Sequence, residues 1–217
     1  MIHPVRIKVC GLTTLANARA VVELGVNEIG FNFFPSSPRY LDPAAARELA
    51  RALPPEVRRV GVFVNAPAEL VDSVSELVGL DRVQLHGGES RDFCLARSRT
   101  VIKAFRSAPD LTLEELEPFR GMPILLDGYH PAVPGGTGQR ADWSLARRMV
   151  EAGFVLYLAG GLSPENLAEA IATVRPAVVD LNSGVESMPG VKDPARLAAA
   201  IEIVRQASIT PGAESRS

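Results

Sequence analysis

The chain has 217 residues, 47% of them hydrophobic and 22% charged, with a formal net charge of −2. This composition excludes a disordered chain, a collagen-like fibre and a disulfide scaffold, and fits one globular domain. The near-neutral charge gives no global field for nucleic acid or an anionic membrane, so an anionic ligand needs a local site.

Two cysteines, Cys10 and Cys94, lie in no CxxC motif or Cys/His cluster, which suits free thiols in a reducing cytoplasm. The opening residues carry no leader-like apolar core, and no apolar run approaches the ~20 residues that span a bilayer. In chain order, short β-branched runs alternate with stretches rich in Ala, Leu, Glu and Arg. Strands are expected over Val5–Cys10, Glu28–Phe33, Arg58–Val64, Arg82–His86, Val101–Phe105, Pro123–Asp127, Val155–Ala159 and Ala177–Leu181. The helices expected between and after them are Leu15–Leu24, Pro43–Leu53, Pro67–Val78, Arg91–Arg97, Leu113–Phe119, Trp143–Glu151, Pro164–Val174 and Pro194–Arg205. Thr13 or Thr14, Asp42, Asn65, Ser90, Thr112, Ser163 and Asp193 are the expected N-caps. Pro43, Pro164 and Pro194 fit first helical positions.

The runs are largely apolar rather than alternating, the pattern of a parallel sheet covered on its outer face. Eight strand–helix units in 217 residues predict one closed (β/α)8 (TIM) barrel over 1–207, with 208–217 a flexible tail. The competing open doubly wound sheet usually carries a glycine-rich dinucleotide turn after its first strand, and here Cys10-Gly11-Leu12-Thr13 follows instead. The longest irregular stretch, Gly128–Asp142, contains Gly135-Gly136-Thr137-Gly138 and reads as a lid or substrate wall.

A barrel of this kind carries its active site at the C-terminal strand ends. The polar residues there are Cys10, Asn32 with Arg39, Asn65, Gln84 with His86, Arg106, Asp127, Gly160-Gly161 and Ser183-Gly184. Cys10 ends the first strand, and Lys8 shares its side of that strand, so a nearby ammonium should favour the thiolate, a base or nucleophile. Asp127 ends a buried run and caps no helix; partial desolvation would suit it to donate a proton. The glycines after strands seven and eight leave peptide N–H groups uncrowded for a phosphate. Arg39 is the candidate grip for a carboxylate. His86 is a candidate proton shuttle, with no second ligand near it for a metal. Cys94 reads as a buried small hydrophobe, Asp180 as the partner of Lys8, and His3 and His130 as terminal and loop residues.

These motifs, taken together, carry a resemblance. Lys8-Val-Cys-Gly-Leu-Thr13, Ser37-Pro-Arg39, Val60-Gly-Val-Phe-Val64, Gln84-Leu-His-Gly87, Leu126-Asp127, Gly135-Gly-Thr-Gly138 with Trp143, Ala159-Gly-Gly-Leu162 and Asn182-Ser-Gly-Val-Glu186 occur in that order. From Lys8 to about Val204 the chain resembles the phosphoribosylanthranilate isomerases of tryptophan biosynthesis. The resemblance implies an Amadori rearrangement of N-(5-phosphoribosyl)anthranilate with no metal or organic cofactor. It casts Cys10 as general base and Asp127 as general acid. It gives Arg39 the anthranilate, and Gly160, Gly161, Ser183 and Gly184 the phosphate, with Gln84 and His86 also facing the substrate. The expected partner is a small phosphosugar, not nucleic acid or membrane, bound by a monomer or homodimer. Asn182 and Gln139-Arg140-Ala141 depart from the family pattern. A relative running the same rearrangement in histidine biosynthesis, with carboxylates at both catalytic strands, and a non-catalytic phosphate-binding barrel are the competing readings; Cys10 and the Cys10/Asp127 pair argue against them.

Overall fold

A computed structural model describes residues 4–129 and 140–209. The elements run β1 (Arg6–Cys10), α1 (Leu15–Glu23), β2 (Glu28–Asn32), α2 (Pro43–Arg51), β3 (Arg58–Phe63), α3 (Ala68–Val78), β4 (Arg82–Leu85) and α4 (Arg91–Leu95). The second half continues with β5 (Thr100–Arg106), α5 (Leu113–Leu116), β6 (Ile124–Asp127), α6 (Trp143–Glu151), β7 (Leu156–Leu158), α7 (Leu167–Val174), β8 (Val178–Leu181), β9 (Glu186–Met188), β10 (Val191–Lys192) and α8 (Pro194–Ile209). Strands β1 to β8 form a closed barrel in sequence order, every neighbour parallel, as the (β/α)8 reading expects. Closure removes both edges of the barrel sheet, so none of β1 to β8 is an edge strand.

The apolar residues divide between two cores. The larger lies between strands and helices and takes Val9, Ile29, Leu126 and Leu158 together with helix residues such as Val21, Val71 and Ile201. The smaller fills the lumen with Val60, Ile102, Ala104, Leu125, Tyr157, Ala159 and Val178. Both faces of each strand are therefore dry, which is why the strand sequences do not alternate.

Helix starts follow the expected chemistry at most sites. The Thr14, Asp42 and Ser90 side chains accept backbone N–H bonds at the starts of α1, α2 and α4. Thr112 forms a capping box with Glu115, and Asp193 accepts from the N–H groups of Ala195 and Arg196. Two expected caps are corrected. Pro67, not Asn65, precedes α3, because Asn65 adopts a left-handed φ of 50° and its side chain turns to the Gly88 N–H instead. Ser163 and Pro164 do not open α7, which starts at Leu167; Asn166 accepts from the Ser163 N–H and donates to the Gly161 carbonyl, holding residues 161–166 as a turn. The β9–β10 hairpin has no counterpart in the sequence reading. His3, His130, Gly135–Gly138, Gln139 and residues 210–217 of the expected tail lie outside the described residues.

The floor of the barrel holds one unexpected charge. Glu28 is fully buried, yet Arg6, Arg58 and Arg82 come within 3.6, 3.5 and 3.9 Å of its carboxylate. The Tyr157 hydroxyl donates to it at 3.0 Å and accepts from Arg82 at 2.9 Å. Removing the carboxylate leaves the buried Tyr157 hydroxyl without its acceptor and Arg82 without its nearest counter-charge. Glu28→Ala should therefore lose about 3 kcal/mol of stability, the low end for a broken buried pair because Arg6 and Arg58 still reach solvent. Glu28→Gln, which keeps an acceptor, should lose less. Urea denaturation of the two variants beside the parent measures both, and equal midpoints for parent and Glu28→Ala would refute the role.

Candidate active site

One cavity of about 380 Å³ opens at the C-terminal ends of the strands. Every site residue expected from the sequence lines it: Cys10, Arg39, Gln84, His86, Asp127, Gly160, Gly161, Ser183 and Gly184. Arg106 and Asn65, also at strand ends, do not.

Cys10 is placed by β1. Its register partner on β2 is Gly30, and a Cβ on Gly30 would come within 2.7 Å of Cys10 Sγ, so only glycine leaves the thiol room. Two residues earlier, on the same face, Lys8 donates to Asp180 Oδ2 at 2.7 Å across the β1–β8 seam. The pairing of Lys8 with Asp180 is as expected, but its effect on the thiol is not. Burial pushes the Cys10 thiol above its ordinary value, and the ammonium groups of Lys8 and Lys192 offset only part of that shift. For Lys8 burial favours the neutral amine, yet Asp180 more than compensates and the ammonium is held. Burial, not the Lys8 ammonium, thus sets the direction at Cys10, toward the thiol and away from the thiolate expected from Lys8 alone. Cys94 is buried in the strand–helix core, as expected.

Asp127 ends β6, and its Oδ1 accepts from the Gly128 N–H at 2.8 Å. His86 Nε2 stands 3.6 Å from Asp127 Oδ2, and His86 Nδ1 lies 3.3 Å from Gln84 Nε2. Burial, with Lys103 and Arg106 nearby, drives the imidazole down to about 4, so it is neutral. Among the described residues three buried polar atoms in this cavity have no hydrogen-bond partner: Gln84 Oε1, His86 Nε2 and Asp180 Oδ1. Behind them the buried Lys103 donates to the carbonyls of Leu85 and Gly87 and to Glu89, fixing the loop that carries His86.

Arg39 is held over the mouth by its own loop. Asn32 accepts from the Phe34 N–H and donates to Ser37 Oγ, which in turn accepts from the Arg39 N–H. The side chain then crosses Gly11, whose φ of +76° and missing Cβ leave the space; a Cβ there would sit 2.6 Å from Arg39 Cδ. Glu186 accepts from Arg39 Nε at 3.0 Å and from Nη2 at 2.6 Å, leaving Nη1 as the unclamped edge. Burial would raise the Glu186 carboxyl, but Arg39 and Lys192 hold it below its usual range.

The last two loops meet at Gly184, where a Cβ would collide with the Leu162 carbonyl. Gly160 and Gly161 both take positive φ, 77° and 62°. Among the described residues, the N–H groups of Gly160, Gly161, Ser183 and Gly184 make no backbone hydrogen bond. Free peptide donors beside a short helical turn at Ser183–Val185 are an anion nest. Sequence reasoning missed Glu186, Lys192 and Asn166 as supports, and assigned Asp180 no place in the cavity it lines. Their partners lie across loops; Arg39 and Glu186, for example, are 147 residues apart. Asn182, one of the departures, accepts from Lys192 Nζ at 3.0 Å.

His86 also predicts an acid-side instability. Its folded value of about 4 lies below the ordinary 6.5, so the folded protein binds fewer protons than the unfolded chain between these values. The stability it contributes is complete above pH 6.5 and is lost as pH falls through that window to about 4. Urea midpoints at neutral and mildly acid pH should differ by roughly 2–3 kcal/mol more in the parent than in His86→Asn. Equal pH slopes would exclude His86 as the source.

The sequence matches the family model described as "N-(5'phosphoribosyl)anthranilate (PRA) isomerase" over residues 7–203. A relative named N-(5'-phosphoribosyl)anthranilate isomerase from Syntrophus aciditrophicus is 48% identical over 201 residues, covering 92% of this chain and 87% of that one. The crystal structure of phosphoribosyl anthranilate isomerase from Thermotoga maritima superposes with a TM-score of 0.86 at 42% identity, covering 93% of this chain and 99% of that one. A structure of such an isomerase in complex with reduced 1-(o-carboxyphenylamino)-1-deoxyribulose 5-phosphate gives a TM-score of 0.84 at 41% identity, covering 93% and 99% of the two chains. By sequence, fold and the cavity at its strand ends, the chain belongs to the N-(5'-phosphoribosyl)anthranilate isomerase family.

Proposed function

We propose that the cavity rearranges N-(5-phosphoribosyl)anthranilate to 1-(2-carboxyphenylamino)-1-deoxyribulose 5-phosphate, in tryptophan biosynthesis, with Cys10 as general base and Asp127 as general acid. The observation that carries this reading is their shared cavity: a thiol from β1 and a carboxyl from β6, with the anion nest and the Arg39 guanidinium in the same walls. Protonated Asp127 gives its proton to the furanose ring oxygen. The C1′–O bond breaks, and the nitrogen lone pair forms a C=N bond to C1′, a protonated Schiff base. Cys10, having released its thiol proton to solvent, then takes the proton from C2′ as thiolate; the C–H electrons move into a C1′=C2′ bond and the C=N π electrons return to nitrogen, neutralising it. The enolamine so formed becomes the ketone as C1′ gains a proton and the C2′ hydroxyl loses one. No electron leaves or enters overall.

Ligand binding supplies what the empty cavity lacks for the thiolate. The iminium beside C2′ adds positive charge to that of Lys8 and Lys192, both of which already favour ionised Cys10. Gly160, Gly161, Ser183 and Gly184 hold the phosphate, Nη1 of Arg39 the anthranilate carboxylate, and Gln84 and His86 the sugar between them. The barrel over 1–207 is the catalytic unit, acting in the cytoplasm as a monomer or homodimer on a small phosphosugar, without nucleic acid or membrane. Among the described residues no helix is long and apolar enough to cross a membrane.

Consumption of phosphoribosylanthranilate, followed by its fluorescence, tests the reading. Cys10→Ala and Asp127→Ala should each lose about 10²–10⁴ in kcat with the circular dichroism of the fold retained. Near-full activity in Asp127→Ala removes the acid assignment, and failure of the parent to turn over removes the function. Alkylation in a Cys94→Ala background should be slow at neutral pH and accelerate with rising pH beyond the ordinary thiol range, since burial holds the Cys10 proton. Rapid labelling at neutral pH would contradict a resting thiol.

A further inference from the structure

Lys192 does not line the cavity, yet Glu186 ties it to Arg39, which does. It ends the β9–β10 hairpin, and its side chain is 2% exposed. Its Nζ donates to Glu186 Oε1 at 2.7 Å and to Asn182 Oδ1 at 3.0 Å. The hairpin is anchored to the first helix region, with the Lys192 N–H bonded to Asn17 Oδ1 at 2.8 Å and Thr13 Oγ1 to the Gly190 carbonyl at 2.9 Å. Nothing in this anchoring requires an ammonium. What requires it is Glu186, whose carboxylate is shared between two buried cations, Lys192 on one side and Arg39 on the other.

The neighbouring buried pair, Lys8 with Asp180, is neutral as a pair. Arg39, Glu186 and Lys192 together carry one net positive charge. Of the three, only Arg39 lines the cavity. Without the lysine charge, Arg39 and Glu186 would form a neutral pair, and an arriving carboxylate would meet no net attraction to offset its desolvation. We propose that Lys192 is a positioning residue that, through Glu186, leaves Arg39 an uncompensated charge and so sets the preference of the site for an arylamine bearing a carboxylate. This rests on the reading that the anthranilate end lies at Arg39.

Two ligands read the charge directly: the reduced product analogue and its counterpart made from aniline, which lacks the carboxylate. Calorimetry of the parent should show tighter binding of the carboxylated ligand. Lys192→Met, and Lys192→Gln where a hydrogen-bonding head is needed for folding, should cut that preference by about tenfold or more, the range for a bond to a charged group. KM should rise by a similar factor with kcat changed far less, and Lys192→Arg should retain the preference. The double variant Glu186→Gln/Lys192→Met removes one charge of each sign and should regain much of it. A merely structural role predicts a double variant at least as impaired as the single one, and that result overturns the proposal. So does an unchanged preference in Lys192→Met and Lys192→Gln while the parent discriminates. A parent that turns over its substrate but binds both ligands equally overturns the Arg39 placement and this proposal with it.

Discussion

The barrel closes along the seam between β1 and β8, and a buried ion pair sits on that seam. Lys8 and Asp180 are register partners, 2.7 Å apart and both withdrawn from water. Charges in such a place persist only with their partner in position, and losing one leaves the other uncompensated at a cost of about 3–5 kcal/mol. Strand geometry carries the consequence to the site. Side chains repeat with period two, so fixing Lys8 fixes Cys10 on the same face, one step nearer the mouth. Asp180 gives one carboxylate oxygen to the seam, and its other oxygen is buried and unpartnered among the described residues, in a residue that lines the cavity. Closure of the fold and placement of the thiol are thus one event.

The walls of the cavity are built by loops whose polar groups are consumed in holding one another. Asn32 and Ser37 shape the turn before Arg39, and Glu186 clamps the guanidinium from across the barrel. Asn166 bridges the Gly161 carbonyl and the Ser163 N–H, keeping the glycine loop in the form that meets Gly184. On the remaining side, Lys103 and Glu89 lock the loop of His86 from behind. Groups left over from this mutual satisfaction are the ones that line the cavity: peptide N–H donors, one edge of Arg39, a thiol, an acid and a neutral imidazole. An anionic ligand with two charged ends matches that distribution better than a neutral one.

Burial works against Cys10 and for the reaction at the same time. A dry site raises the thiol, because the charged form loses its hydration. The same dryness strengthens the field of Lys8 and Lys192 on any negative charge that forms there. A thiol held protonated by burial, in a field that supports the thiolate, is one whose charge a bound cation can switch.

Much of the architecture was legible in the chain. The alternation of apolar runs with capped, Ala- and Leu-rich stretches gave eight units, since both faces of a parallel barrel strand must be apolar and each helix start needs an acceptor. The strand ends pointed to Cys10, Asp127, Arg39 and the two glycine loops, because the fold brings those ends to one rim. The misread caps show where local reasoning stops. Asn65 and Ser163 have the right chemistry for an N-cap, yet the Asn65 side chain accepts from the Gly88 N–H across two loops, and the Ser163 backbone N–H donates to Asn166 in a turn that delays the helix.

What the sequence by itself determined is the order and number of the units and which polar residues end their strands, all of which follow from local periodicity and residue type. The tertiary structure alone decided the state of those groups. It put Glu186 and Lys192 behind Arg39, set burial against two ammonium ions at Cys10, and drove His86 to its neutral form. Each of these depends on how far charges lie from one another and from water, and those distances, some between residues more than a hundred positions apart such as Arg39 and Glu186, exist only once the ring of strands is shut.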